Sequence, residues 1–259
     1  MPQESFATVD GCRIRMMREG RGAPLLFLHG GNGASEWRPF MADLAQAFDV
    51  IVPEHPGFGG SETPQWLDNV GDLAYFYLDL IEALGLARVH LVGTSLGGWV
   101  AAEVAVRRSP ALASLVLAAP AGIHLEGVAK GDIFMWSAEE SARNLFHDPE
   151  WTKQALDRPV SEAEQTMAMG NRATMARLAW QPRLYNPHLA KWLHRIDVPT
   201  LILWGDDDKV IPPAYGKAFA ELIPQSRLEV IRNCGHLAHI ERKDEFVGHI
   251  TRFIAGIAA

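Results

Sequence analysis

Residues 89–100 read VHLVGTSLGGWV: a short apolar run, then Ser95 with a glycine two residues away on each side, then small residues suited to a helix. A serine where a strand ends and a helix begins has two explanations. It can cap the helix, since its hydroxyl accepts a hydrogen bond from the first free backbone N–H groups. It can also be a nucleophile. A sharp strand-to-helix turn lifts the side chain out at the end of a sheet and leaves room only for glycine-sized neighbours two residues before and after, here Gly93 and Gly97.

Other short apolar runs lie at 24–28, 49–53, 115–118, 200–204 and 228–231, with helix-like segments between most of them. That alternation predicts an α/β fold, a mostly parallel sheet flanked by crossover helices. The runs are consecutively apolar, as strands covered on both faces are. Val70, Leu73, Ala74, Tyr77, Leu78, Ile81 and Leu84 recur at spacings of three and four and predict an amphipathic helix against that sheet. Residues 6–9 and 12–18 flank Asp10-Gly11, a dipeptide favoured in two-residue turns, and predict an N-terminal antiparallel hairpin.

From 121 to 197 no strand run stands out, and Trp136, Phe146, Trp151, Met167, Met169, Met175, Leu178 and Trp180 are scattered among charged residues. The segment reads as a helical insert in a core formed by 1–120 and 198–259. Its aromatic and methionine side chains either form a small core of their own or line an apolar cleft. Trp136, Met169 and Trp180, with Asn32, are the candidate substrate contacts.

A chain of 259 residues with 48% apolar content can bury one large core that carries an insert. The formal charge of -7 and the lack of any Lys/Arg run argue against nucleic acid or an anionic membrane as partner and favour a small molecule. Cys12 and Cys234 form no metal-binding motif and read as free thiols. The first residues have neither a basic start nor an apolar stretch, and no window reaches the roughly 18 apolar residues of a membrane span. The expectation is a soluble, cytoplasmic protein. No feature of the sequence indicates an oligomeric state.

A serine hydroxyl is a weak nucleophile without a histidine base, itself oriented by a carboxylate. Among ten histidines, His236 stands out because it follows the run at 228–231 in the loop Asn233-Cys234-Gly235-His236. His239, one turn on, reads as a surface or supporting residue. The carboxylate is expected after another strand, and Asp206, Asp207 and Asp208 follow the run at 200–204. A calcium loop needs acidic or amide residues at alternate positions and a later glutamate, which is not their spacing. A developing oxyanion needs backbone N–H donors. Leu96 offers one and the loop His29-Gly30-Gly31-Asn32-Gly33 a second, from Gly31. Neither of the common nucleotide-binding glycine patterns can be written through that loop.

The HGG loop at 29–31, PGFGGS at 56–61, GTSLGG at 93–98, PTLILWGDDDKVIP at 199–212 and CGHLAHIE at 234–241 resemble, in order, the landmarks of the α/β-hydrolase family. The resemblance implies the α/β-hydrolase fold, a Ser95, Asp208, His236 triad, a lid at 121–197 and no metal or organic cofactor. Within the Gly-x-x-Asp pattern it selects Asp208 over its two neighbours. It further implies a serine hydrolase acting on a small-molecule carboxylic ester. Ser95 stands where the dehalogenase and epoxide hydrolase branches carry aspartate. The branch that hydrolyses carbon–carbon bonds of ring-fission products carries Asn before the nucleophile and Trp after the histidine, where Thr94 and Leu237 stand here. Perhydrolases and cofactor-free haloperoxidases share the same three residues, and a non-catalytic ligand-binding protein is the remote alternative.

Overall fold

The apolar runs become the strands of one eight-stranded sheet in a computed structural model that describes residues 2–258. Strands β1 (Gln3–Val9) and β2 (Cys12–Gly20) pair antiparallel across Asp10-Gly11, whose φ angles of 47° and 74° suit a tight hairpin turn. Six parallel strands follow: β3 (Ala23–Leu28), β4 (Phe48–Pro53), β5 (Val89–Thr94), β6 (Leu112–Ala118), β7 (Thr200–Gly205) and β8 (Ser226–Ile231). The spatial order is β1-β2-β4-β3-β5-β6-β7-β8, with β2 antiparallel to β4.

Successive strand side chains point to opposite faces, and both faces are covered. Leu26, Leu28, Leu91 and Leu117 join a layer with α2 (Val70–Ala83), α3 (Leu96–Val106) and α7 (Ala214–Leu222). Leu25, Phe27, Val92 and Val116 meet α1 (Pro39–Leu44) and α9 (Lys243–Ala258). Each such side chain contributes about 1.5–3 kcal/mol by leaving water, which is why these strands are apolar at most positions; His90 and Ser114, buried exceptions in β5 and β6, bond to each other at 2.8 Å.

Helix α2 buries a wider face than its periodicity predicts. Phe76 and Leu80 are buried as well, Phe76 stacking on Trp66 from the loop that precedes the helix. Helix α3 is buried at every position, because the sheet, α2 and a 3-10 helix at Ala190–Arg195 surround it. It therefore has no amphipathic stripe, and small residues are its only signature.

Between β6 and β7 lie α4 (Ala138–Leu145), α5 (Pro149–Asp157) and α6 (Glu162–Ala179). Each starts at a side-chain cap, with Ser137, Asp148 and Ser161 accepting from Glu140, Glu150 and Glu164 N–H respectively. Helix α6 bonds to the loops that follow β3 and β4, and the end of α4 with its link to α5 bonds to those that follow β7 and β8, so the segment stands over the carboxyl ends of the parallel strands. A short α8 (Ala238–Glu241) follows β8.

Candidate active site

Ser95 adopts φ 53° and ψ -114°, a region that costs a non-glycine residue about 1–3 kcal/mol. Its surroundings hold it there. The Ser95 N–H donates to Ala118 O at 2.9 Å, and its carbonyl accepts from Trp99 at 3.0 Å and Ala121 at 3.1 Å. A Cβ on Gly93 would stand 2.2 Å from Gly97 O, and one on Gly97 would stand 2.1 Å from Leu28 O. The elbow closes only with glycine at both positions. Ser95 makes no side-chain cap to α3, so the capping explanation of this serine fails.

Its hydroxyl instead lies 2.9 Å from His236 Nε2, and His236 Nδ1 lies 2.8 Å from Asp208 Oδ2. A carboxylate only accepts, so Nδ1 carries the proton and Nε2 presents its lone pair to the serine O–H. The other carboxylate oxygen, Oδ1, accepts from the N–H groups of Val210 and Ile211 at 2.9 and 2.8 Å. Asp208 and His236 are each 4% exposed, which strengthens their mutual interaction. The neighbouring aspartates turn elsewhere: Asp206 accepts from Cys234 N–H, and Asp207 pairs with His147 and Lys209. Among the described residues, no group of three or more His, Cys, Asp or Glu is arranged to hold a metal.

The loop after β3 lies against the serine, with the Gly30 Cα so placed that a Cβ there would contact Ser95 Cβ at 3.4 Å. Gly31 lines the same cavity as Ser95 and His236. Leu96, buried, is the first residue of α3, where unpaired N–H groups and the positive end of the helix dipole collect. The cavity measures about 440 Å³ and is walled by Ile133, Phe134, Trp136, Leu145, Met175 and Val210. Glu36, Arg38 and Arg172 line it as well, so the wall is mainly apolar with a few charged side chains, as in a pocket for a small molecule.

Two insert residues expected to contact substrate do not line this cavity. Helix α6 turns Ala168, Asn171, Arg172 and Met175 toward it. Met169 falls off that face and is 73% exposed. Trp180 caps the helix end, packing on Phe134 and under the Arg183 guanidinium, outside the wall that Phe134 forms. Trp136 and Asn32 do line the cavity. His239 is half-buried rather than a surface residue: it lines the same cavity among Phe27, Phe40 and Phe246, where burial, and next the charge of His236, push its pKa down to about 3.

Two buried side chains tie the insert to this site without a signal in the sequence. Glu241 Oε1 accepts from His147 and Asp148 N–H at 2.9 and 2.6 Å, while its Oε2 accepts from Gly235 N–H at 2.6 Å. The link between α4 and α5 is thereby fastened to the loop carrying His236. On the other side, Asn171 of α6 accepts from Gly59 N–H and donates to Asn32 O, both at 2.9 Å.

A model described as the Alpha/beta hydrolase family matches residues 25–249. The 2-hydroxy-6-oxo-6-(2'-aminophenyl)hexa-2,4-dienoic acid hydrolase of Metapseudomonas resinovorans is 28% identical, over 97% of this chain and 91% of that one. Lipase 3 of Moraxella sp. is 26% identical over 91% of this chain and 78% of its own length. A thermophilic esterase from Thermogutta terrifontis superposes with a TM-score of 0.76 at 26% identity, covering 99% of this chain and all of that one (100%). With the family's model spanning the parallel strands from Leu25 on, the elbow and the loops that carry Asp208 and His236, the chain belongs to the alpha/beta hydrolase family and is a hydrolase.

Proposed function

We propose that this hydrolase cleaves carboxylic esters of small to medium, mainly apolar substrates through an acyl-enzyme. The observation that carries the reading is the continuous hydrogen-bonded series Asp208–His236–Ser95 opening into a mainly apolar cavity. Ser95 Oγ attacks the ester carbonyl as His236 Nε2 takes its proton, and Asp208 stabilises the imidazolium that forms. The Gly31 and Leu96 N–H groups receive the oxyanion; one such donor is worth about 10²–10³-fold in rate. His236 returns the proton to the leaving alcohol. It then deprotonates a water that hydrolyses the acyl-enzyme. No step requires a metal or organic cofactor. The insert at 121–197 serves as the lid, with Trp136 and Asn32 touching substrate.

A second reading keeps the three residues and changes the bond cleaved to a carbon–carbon bond of a ring-fission dienoate. It draws support from the dienoate hydrolase of Metapseudomonas resinovorans, whereas Thr94 and Leu237 favour the ester reading. The test is hydrolysis of p-nitrophenyl esters from acetate to dodecanoate by the wild-type protein and Ser95→Ala, with loss of dienoate absorbance followed in parallel. A chain-length optimum that disappears in Ser95→Ala is the expected result. Ester turnover surviving in the variant overturns it, and dienoate turnover without ester turnover selects the second reading.

A further inference from the structure

Behind the loop after β3 lies a buried series of polar groups that the proposed mechanism does not use; only His29 of it touches the cavity wall. His29, His55 and Tyr77 are 2%, 0% and 0% exposed. The His29 and His55 rings lie 3.8 Å apart, and Phe58 stands edge-on to both. Tyr77 reaches them from α2, on the far side of the loop from Ser95.

The donors fix every proton in this series. The backbone N–H of His55 points at His29 Nε2 at 2.9 Å, so Nε2 is the lone-pair nitrogen. The His29 proton is therefore on Nδ1, which donates to Gly30 O at 2.7 Å. His55 Nε2 faces a carbonyl, His29 O, at 2.8 Å and must be its protonated nitrogen. That leaves His55 Nδ1 as acceptor of the Tyr77 hydroxyl at 2.5 Å. A second proton on His29 would set Nε2–H against the His55 N–H, so the bonds admit only a neutral His29; on His55 it would turn the Tyr77 hydroxyl into an acceptor, and burial opposes it. In keeping with this, burial lowers the His29 pKa to about 4 and holds that of His55 well below its ordinary value.

Two consecutive carbonyls, those of His29 and Gly30, are thus held by imidazole N–H donors, and Gly30 O also accepts from Gly33 N–H at 3.1 Å. In a trans peptide the N–H points opposite to the C=O. Fixing the Gly30 carbonyl on His29 Nδ1 and the Gly33 N–H therefore fixes where the Gly31 N–H points.

We infer that Tyr77, His55 and His29 are positioning residues that act in series to aim the Gly31 N–H at the oxyanion. The inference rests on the ester hydrolase reading for its kinetic consequence. Its geometry stands apart from that reading. An oxyanion donor acts in the transition state and much less on bound substrate. A misaimed Gly31 N–H therefore lowers kcat and leaves KM in place.

The experiment combines two measurements on the full chain. Imidazole ¹⁵N–¹H correlation spectra at pH 7 report the tautomers whether or not any ester is turned over. They are expected to show His29 protonated on Nδ1 and His55 on Nε2; the opposite tautomer of either ring overturns the inference. Kinetics on a p-nitrophenyl ester, normalised to active serine titrated with a fluorophosphonate, give the functional half. His55→Leu is expected to lose about 30- to 100-fold in kcat, up to the lower end of the about 10²–10³-fold that removing one oxyanion donor outright costs. Tyr77→Phe, which leaves its ring packed, is expected to lose about three- to ten-fold, and KM to stay within about two-fold in both. His55→Gln, whose amide N–H can reach His29 O, is expected to recover most of the loss. Unchanged kcat per titrated site in Tyr77→Phe and His55→Leu, or a loss carried by KM, overturns the inference while leaving the role of Ser95 intact. Ester turnover that survives in Ser95→Ala sinks the hydrolase reading instead, and the tautomers then judge the series alone.

Discussion

Two sides converge on Ser95 and they are built from opposite materials. On one side stand His236 and two buried carboxylates: Asp208 bonded to its ring, and Glu241 bonded to the backbone of its loop. On the other side, around His29 to Gly33, every supporting group is neutral: two imidazoles, a phenol and the Asn171 amide. The difference follows from what each side has to do. The histidine gains and loses a charge in each turnover, and a nearby carboxylate compensates for it. The oxyanion side only has to keep N–H dipoles oriented, and a neutral network holds that orientation without titrating at neutral pH.

The largest effect should come from removing charge compensation without moving atoms. Asp208→Asn keeps the shape and an oxygen for the Val210 and Ile211 N–H groups. An amide turned toward Nδ1 selects the wrong tautomer, or leaves an imidazolium uncompensated. We expect kcat on p-nitrophenyl esters to fall about 10⁴-fold. Activity within ten-fold of wild type would mean that the carboxylate does not serve His236 and that the two sides are not distinct.

Glu241 is the next break. Its carboxylate satisfies three backbone N–H groups, two in the α4–α5 link and one in Gly235. His236 and Leu237 N–H in turn donate to Leu145 O at 2.9 and 3.4 Å, so the link and the histidine loop move together. Glu241→Ala leaves the buried Gly235 N–H and two part-buried N–H groups of the link without partners, a fully buried one costing about 1–3 kcal/mol. We expect a loss of about 3–5 kcal/mol in urea unfolding, with kcat reduced among molecules that remain folded. A loss below about 1 kcal/mol would show that water or a shifted link replaces the carboxylate.

These two residues differ in how far the sequence exposes them. The strand runs and the elbow at Ser95 are legible because local sterics demand them: consecutive apolar residues for doubly covered strands, and glycine at 93 and 97 for a turn with no space for a Cβ. His236 is legible because bases sit in loops at strand ends. Asp208 needs the family pattern, since three adjacent aspartates differ only in how the following backbone turns. Helix α6 misleads because its cavity face carries polar and apolar residues alike, so its rotational phase, and with it the exposure of Met169, has no apolar stripe to reveal it. Glu241 and Asn171 act on backbone groups up to 139 residues away, and no local pattern encodes such a partner. His29 and His55 likewise take their meaning from contact alone.

The neutral side carries a pH signature of its own. The His29 pKa lies near 4 in the folded chain against an ordinary 6.5 and that of His55 is also lowered; outside that side, His239 beside His236 (near 3) and His90 in β5 add to the same trend, in every case chiefly by burial. Between these values and 6.5 the unfolded chain binds more protons than the folded one, so stability falls as pH drops through that window. Glu54, whose pKa burial raises, works in the opposite direction. For His29 alone the loss should reach about 2 kcal/mol by pH 5. Urea midpoints at pH 7 and pH 5 test this. A midpoint that stays level or rises on acidification would mean that these rings are not held neutral, and the contrast between the two sides would collapse.

The smallest effect should fall on Asn171, and it sharpens the comparison because it is the amide counterpart of Glu241. Asn171 lies within the insert and Glu241 outside it, and each bridges the insert to a loop beside Ser95. Asn171, however, gives one acceptor to Gly59 N–H and one donor to Asn32 O, and is uncharged. Asn171→Ala orphans one donor and one acceptor, and Thr174, bonded to Gly57 O at 2.6 Å, still holds α6 to the same loop. The expected loss is about 1–2 kcal/mol, with kcat lowered a few-fold through a looser Asn32 peptide. Asn171→Asp isolates the charge. A carboxylate can still accept from Gly59 N–H but cannot donate to Asn32 O, and it places a negative group beside the loop that is to receive the oxyanion. If the oxyanion side depends on neutral dipoles, Asn171→Asp should be slower than Asn171→Ala at pH 7. If the two variants have the same kcat, the neutrality of that side is incidental and only its geometry matters.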